Sequence, residues 1–282
     1  MEVPFDSDSY VALAGYVRDS IHRKIKRALE KKFHGDASPV LVPEDARRPQ
    51  DIVVYSYLFK NLQFPTKYER GEFPLPYGKQ KVECFGMGPQ YKPGRDAMAS
   101  QTLIHNYVSK DDFVIELRTK SVRDHLVLAK IAPRKTLAQT VAAVRRRLVV
   151  SPDVAYPVDI LIVPKSNFDI IRSYDELLSV QLVPTSPGMA DDLRLLDPTQ
   201  NIRFQMDEIG VRLKSETSMQ FGCSAPPPSP QPIHLLIFDK PFLIMMSRAD
   251  DEGDGKAKPG VPYFALWVAN PELLVHGEMI RW

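Results

Sequence analysis

The run from Asn201 to Leu274 limits the possible folds most strongly, and its first part, up to Phe221, alternates apolar and polar residues for longer than one ordinary strand requires. In its first part, Ile202, Phe204 and Met206 point to one side of an extended chain. After Glu208–Gly210 the alternation resumes, and one face is formed by Val211, Leu213, Ser215, Thr217, Met219 and Phe221. A period of two residues is typical of strands with one buried face. Gly210 lies between the two runs, where a strand bends most easily.

A proline-rich stretch, Ala225–Pro232, interrupts this strand pattern. Proline cannot donate to a strand ladder, so the strand must end before it, and an extended, solvated loop is favoured. Beyond the prolines, Ile233–Met246 is almost continuously apolar, and Tyr263–Leu274 completes the set. The order of strand, bend, exposed loop and hydrophobic hairpin suggests a function that resides in a loop held between two strands.

Three further segments follow a recognisable order along the chain. DKPFLIMM (Asp239–Met246) contains a Pro-Phe pair, and two hydrophobic strand-like segments lie upstream, at Asp51–Phe73 and at Val158–Ile170, which contains a Pro-Lys pair. Together with the acidic-Gly pair at Glu208 and Gly210, this order resembles the serpins, a superfamily that includes suicide-substrate inhibitors of serine proteases. The resemblance spans most of the chain, but the N-terminal third of the family has no counterpart here.

The resemblance implies the fold class and its extent. It implies an α+β, serpin-like fold with large antiparallel or mixed β-sheets, a few packed helices and an exposed reactive-type loop. Residues 1–282 are expected to form a single domain with an N-terminal helix and loop (1–50), the best resemblance (51–274) and a tail (275–282). Independently of the resemblance, the sequence Thr136-Leu-Ala-Gln139 is typical of a capping box and predicts a helix that begins there.

The resemblance also implies a mechanism and a set of site residues. In inhibitory members a protease attacks the exposed loop, and the freed loop then enters the central sheet as an added strand. The reactive-loop hinge would comprise Glu208, Gly210, Val211, Leu213 and Ser215. The candidate bait bond would lie between Cys223 and Ser224, and the strand-insertion face would continue through Thr217, Met219 and Phe221.

The hinge of this chain differs from that of inhibitory relatives. They carry small residues after the glycine, whereas this chain carries Val211, Arg212, Leu213 and Lys214. Bulky residues slow strand insertion, so the protease would hydrolyse the acyl bond and escape. We therefore favour a non-inhibitory or weakly inhibitory role. Two alternatives stay open: a functional serine protease inhibitor, and a binding or structural module in which Val211–Phe221 is a fixed strand.

A basic cluster lies near the N-terminus. Ser9 is a plausible cap for a helix that is expected to run to about Phe33. Its polar face would carry Arg23, Lys24, Lys26 and Arg27. These residues form a weak candidate for a polyanion site, but a solvated helix face is the favoured interpretation because no aromatic residues are interleaved with them.

Composition and motifs exclude several other functions. The net charge is +2, and the two cysteines, Cys84 and Cys223, do not form a disulfide framework. No two histidines stand four residues apart and none stands at metal-ligand spacing from a cysteine. No hydrolase elbow or phosphate loop occurs either, so we expect no metal, no cofactor and no enzyme. The first ten residues carry no basic-then-apolar secretion signal, so we expect a cytoplasmic protein, and secretion stays the alternative if an N-terminal portion is missing. The expected partner is a serine protease, and we expect neither a nucleic acid nor a membrane as a partner. Apolar surface left by an absent N-terminal third would favour self-association.

Overall fold

The computed structural model describes residues 10–33, 48–49, 51–58, 60–90, 92–173, 176, 181–182, 193–194, 199–212, 234–249 and 259–277. The elements up to the first long hairpin are β1 (Tyr10–Tyr16), α1 (Ile21–Phe33), β2 (Ile52–Leu58), β3 (Leu62–Gln63), β4 (Glu69–Arg70), β5 (Leu75–Tyr77), β6 (Gln80–Val82), β7 (Cys84–Met87) and α2 (Arg95–Ser100). They continue with β8 (Thr102–Ser109), β9 (Asp112–Leu117), β10 (Asp124–Lys130), α3 (Leu137–Arg145), β11 (Asp153–Val154), β12 (Ile160–Pro164) and β13 (Ser166–Ser173). The remaining elements are β14 (Gln181–Leu182), β15 (Leu193–Arg194), β16 (Thr199–Asp207), β17 (Gly210–Arg212), β18 (Leu235–Ile237), β19 (Phe242–Ala249) and β20 (Pro259–Val268).

The largest sheet among the described residues has the strand order β11-β8-β9-β10-β19-β20, and its strand pairs are antiparallel. Its central strands are buried on both faces, which explains why β9, β10 and β19 are almost continuously apolar. Helix α3 packs over one face through Val144, and the Thr136 side chain accepts a hydrogen bond from the Gln139 amide at its N-terminus. The predicted helix start and its cap at Thr136 are therefore confirmed.

Two four-stranded sheets complete the main core. One has the order β18-β12-β7-β4 and is mixed, because β12 and β18 run parallel; the other has the order β13-β16-β17-β3 and is antiparallel. In the second of these sheets, Phe168 and Phe204 stack with ring centroids 5.5 Å apart, and Phe204 stacks in turn on Phe264 of β20 at 5.1 Å. The predicted α+β class with antiparallel and mixed sheets is confirmed.

The N-terminal region differs from the expected single helix. Residues Tyr10–Tyr16 form strand β1, which pairs antiparallel with β2, and helix α1 begins only at Ile21. The prediction of one helix from Ser9 was therefore wrong in its first half. The spacing of Tyr10, Leu13 and Val17 fits a helical stripe, but pairing with β2 decides the structure. Helix α1 covers this two-stranded sheet through Ile21, Ile25 and Leu29.

The C-terminal hairpin was predicted correctly. β19 and β20 pair antiparallel, and β18 precedes them in a different sheet, so the chain passes from one sheet to the other through Phe238–Pro241. Lys130 of β10 fixes this corner: it is 3% exposed, and its Nζ donates to the carbonyl oxygens of Lys110 and Ile237 and to Asp239. The buried ammonium therefore joins two loops to the centre of the large sheet.

Candidate functional site: the turn at Glu208–Gly210

The expected hinge is a tight turn that reverses the chain between β16 and β17. Asp207 pairs with Gly210 across the turn, and the Ile209 amide donates to Asp207 Oδ1 at 2.8 Å. Gly210 has a φ of 151°, and a Cβ at this position would lie 2.2 Å from the Leu62 carbonyl oxygen. Only glycine combines this backbone conformation with so close an approach to β3. The bend predicted at Gly210 is thus a complete reversal of direction.

The strand that follows the turn is paired on both sides. On one side Val211 pairs with Met206, and on the other it pairs with Leu62 of β3. Val211 is 1% exposed. The turn itself is also attached to the segment after β3, because the Phe64 amide donates to the Ile209 carbonyl at 2.8 Å and the Tyr68 amide donates to the Glu208 carbonyl at 2.9 Å.

The carboxylate of Glu208 is held by lysines. Lys165 Nζ lies 2.7 Å from Glu208 Oε2, and Lys67 Nζ lies 3.8 Å from Oε1. Lys165 also approaches Glu83 at 3.3 Å. Burial raises the pKa of Glu208, but the ammonium groups of Lys165 and Lys67 outweigh it, and the pKa lies below its ordinary value. Glu208 is therefore an ionised group, paired inside the turn at neutral pH.

An aromatic cluster supports the turn from below. Phe64 meets Tyr68 edge to face at 5.0 Å, and both rings contact Phe85 of β7. The Tyr68 hydroxyl shares a 2.8 Å hydrogen bond with Thr102 Oγ1 of β8. Burial raises the pKa of Tyr68. The turn therefore rests on closely packed, buried aromatic side chains.

The structure brings together part of the predicted hinge. Glu208, Gly210 and Val211 lie in the turn, whereas the remaining predicted residues lie outside the described residues; these are Leu213, Ser215, Thr217, Met219, Phe221, Cys223 and Ser224. The sequence interpretation missed the role of Lys165, Lys67 and Tyr68. The sequence does contain a signal for Lys165, because it forms a Pro-Lys pair with Pro164, the last residue of β12.

The basic residues of α1 lie on its exposed side. Arg23, Lys24, Lys26 and Arg27 are exposed, and Arg23 donates to Ser20 Oγ at 2.7 Å. The apolar stripe of the same helix is buried, as expected for a helix that covers a sheet. Binding of a polyanion to this face stays a prediction.

A second buried polar cluster, on the large sheet, was not expected from the sequence. His105 Nε2 lies 3.0 Å from Glu116 Oε2, and His125 Nδ1 lies 2.8 Å from Glu116 Oε1. The Val149 amide donates to His105 Nδ1, so Nε2 carries the ring proton that is donated to Glu116. Burial raises the pKa of Glu116, but the two histidines outweigh it and bring the pKa down to about 2. The cluster holds a carboxylate ionised inside the sheet.

Neither a built metal centre nor a membrane-crossing helix is found in the described part of the chain. No three His, Cys, Asp or Glu residues converge there in a way that could hold a metal ion. Cys84 is buried, and burial raises the pKa of its thiol, so it is a poor nucleophile. None of the described helices is both long enough and apolar enough to cross a bilayer.

Comparison with known proteins gives a likeness in structure but none in sequence. No protein-family model matches the chain, and no curated protein matches it. Three solved structures are similar to the chain over 82% to 90% of its length.

One is the crystal structure of Serpin48, a highly specific serpin in the insect Tenebrio molitor, with 13% identity, a TM-score of 0.47, and coverage of 82% of this chain and 62% of that one. Another is thyroxine-binding globulin in complex with thyroxine, with 13% identity, a TM-score of 0.47, and coverage of 90% of this chain and 65% of that one. The crystal structure of human thyroxine-binding globulin complexed with thyroxine has 12% identity and a TM-score of 0.45, and the match covers 86% of this chain and 62% of that one. The chain therefore spans 62% to 65% of the length of these structures.

Proposed function

We propose that this chain is a serpin-like scaffold with a non-inhibitory or weakly inhibitory role, whose loop is a substrate of a serine protease rather than a trap for it. The observation that carries the proposal is the pairing of strand β17 on both sides in the intact chain. The hinge of an insertion trap must be able to enter the sheet after cleavage. Here the first residues of that segment already occupy a sheet.

The free energy available to such a trap supports this proposal. Insertion draws its driving force from new strand pairing and from burial of one face of the inserted strand. Burying a valine side chain contributes roughly 1.5–3 kcal/mol, and Val211 is already 1% exposed. Contacts that already exist before cleavage contribute no further free energy to insertion after cleavage. The turn is held further by the ion pair between Glu208 and Lys165.

The rate of insertion points in the same direction. Beyond the paired residues the sequence continues with Leu213 and Lys214, where fast insertion requires small side chains. Ordering a long lysine or arginine side chain costs up to about 2 kcal/mol of conformational entropy. If insertion is slow, the acyl bond between the loop and the protease is hydrolysed first, and the active protease dissociates.

The test is incubation of the intact chain with trypsin-, chymotrypsin-, elastase- and subtilisin-like proteases, followed by denaturing gels and intact mass. We expect cleavage between Phe221 and Pro232 without a covalent adduct. A denaturant-stable adduct with cleavage near Cys223–Ser224 would overturn the proposal and establish the inhibitor. In that case Leu213→Ala and Lys214→Ala should increase trapping.

Hydrogen exchange separates the third possibility, a module with a fixed strand. We expect the Val211 amide to exchange slowly in the intact chain, because β17 is paired on both sides. Slow exchange that continues to Phe221, together with resistance of the loop to every protease, would favour the fixed-strand module over a cleavable loop. Fast exchange at Val211 would remove the observation on which the proposal rests.

A further inference from the structure

A cavity of about 180 Å³ is lined by residues of the edge strand β4 and of strands β7 and β12. Its polar lining includes Glu69, Glu72 and Lys92, and its apolar lining includes Phe73, Phe85 and Leu161. Phe85 and Leu161 are buried, whereas Phe73 is 75% exposed, so the cavity extends from the core to the surface. For comparison, a cavity of about 150 Å³ accommodates a benzene ring.

The carboxylate of Glu69 is incompletely satisfied inside this cavity. Its Oε1 atom is buried and accepts no hydrogen bond from the residues that the structure describes. The nearest cation, Lys92 Nζ, lies 3.6 Å from the other oxygen, which is too long for a hydrogen bond. Lys92 instead donates to Glu72 Oε1 at 2.6 Å. A buried carboxylate oxygen without a hydrogen-bond donor lowers the stability of the folded chain, so a ligand that donates to this atom would be favoured.

Two carboxylates, Glu69 and Glu72, and two cations, Arg70 and Lys92, line the cavity. Lys92 is shared between Glu69 and Glu72. The other cation of the lining, Arg70, is engaged with Glu83, to which its Nη2 donates at 3.0 Å and 3.1 Å. Neither cation of the lining therefore donates to Glu69 Oε1, and a cationic ligand would supply the donor that this atom lacks.

We propose that this cavity binds an organic monocation with an aromatic or alkyl body, either a free amine or the side chain of an arginine or lysine from a peptide. The ammonium or guanidinium group donates to Glu69 Oε1, as charge-assisted hydrogen bonds favour. The apolar body packs on Phe85 and Leu161, and Phe73 closes over it from the surface. This site does not depend on the proposed fate of the loop.

The experiment is calorimetric titration of the full chain at pH 7 with phenethylamine, with its neutral counterpart 2-phenylethanol, and with N-acetyl-arginine N-methylamide. We expect at least one of the two cations to bind, and the neutral alcohol to bind about tenfold more weakly than phenethylamine or not at all. Tighter binding of phenethylamine identifies a free amine as the source, and tighter binding of the arginine derivative identifies a peptide side chain. Absence of binding by both cations, or equal binding of phenethylamine and the alcohol, would overturn the proposal.

Two variants with opposite expected effects distinguish recognition from a general loss of structure. Glu69→Gln keeps the shape of the side chain and should weaken binding of the cation about tenfold or more. Lys92→Met removes the competing positive charge and should tighten binding. Glu272 provides a matched control, because Glu272→Gln lies outside the cavity and should leave binding unchanged. Equal affinity of wild type and Glu69→Gln, or weaker binding by Lys92→Met, would contradict the assigned role of Glu69.

Discussion

The ion pair between Lys165 and Glu208 joins the end of β12 to the turn before β17, and its removal tests whether the turn is held as described. Lys165→Met keeps much of the length of the side chain but removes its charge. It leaves Glu208 without the ammonium that lies 2.7 Å from its carboxylate. We expect a less stable protein and faster hydrogen exchange at Val211.

The magnitude follows from the burial of the two side chains, which are 10% and 13% exposed. Breaking a fully buried ion pair costs about 3–5 kcal/mol because an unpaired charge is left behind. Lys67 remains 3.8 Å from Glu208 and compensates part of this charge. We therefore expect the free energy of unfolding to fall by roughly 2 kcal/mol. In the double variant Lys165→Met/Glu208→Gln the loss should be smaller than the sum of the single losses by about 1 kcal/mol.

The assay is urea unfolding followed by circular dichroism, with Lys67→Met as the matched control. Lys67 also pairs with Glu208, but its side chain is 52% exposed, so its removal should cost less than about 1 kcal/mol. The folded-state pKa of Glu208 is lowered, so its contribution is present above the ordinary value of 4.5 and is lost as the pH falls through the folded value. Equal losses for the two lysine variants, or additive losses in the double variant, would refute the reasoning.

Three further changes test other parts of the structure. Thr136→Ala removes the cap of α3 and should lower the free energy of unfolding by about 1 kcal/mol; an unchanged urea midpoint would show that the cap contributes nothing. Gly210→Ala forces a Cβ to within 2.2 Å of the Leu62 carbonyl oxygen and should cost about 2 kcal/mol or more, and a thermal melt equal to wild type would contradict the turn geometry. Because the pKa of Glu116 is lowered from 4.5 to about 2, wild type should lose its contribution between pH 4.5 and 2, and Glu116→Gln should flatten this part of the stability curve; parallel curves would count against the buried histidine cluster.

Local signals in the sequence predicted local structure well. The cap at Thr136 depends on residues three positions apart, and the hairpin of β19 and β20 depends on two strongly apolar runs close in sequence. Strand β1 was missed because its apolar residues also fit a helical stripe. Its partner β2 begins after more than thirty intervening residues, and only that distant pairing distinguishes the two conformations.

The site was predictable only in part, for the same reason. Period-2 alternation correctly placed Val211 on a buried face. The pairing of Lys165 with Glu208 depends on how two sheets meet, and no spacing along the chain encodes it. The cluster of His105, Glu116 and His125 joins three strands, and the sequence gives no sign of it because each residue stands alone within its own strand.

The order of strands in the largest sheet has a consequence for synthesis of the chain. β10 pairs on one side with β9, its neighbour in sequence, but its other partner is β19, which is made more than one hundred residues later. At ribosomal speeds of about 5–20 residues per second, that edge of β10 waits roughly 10 s for its partner. During this interval its apolar face and unpaired backbone groups can pair with another nascent chain. Yield from the ribosome should therefore depend on chaperones that shield this one edge.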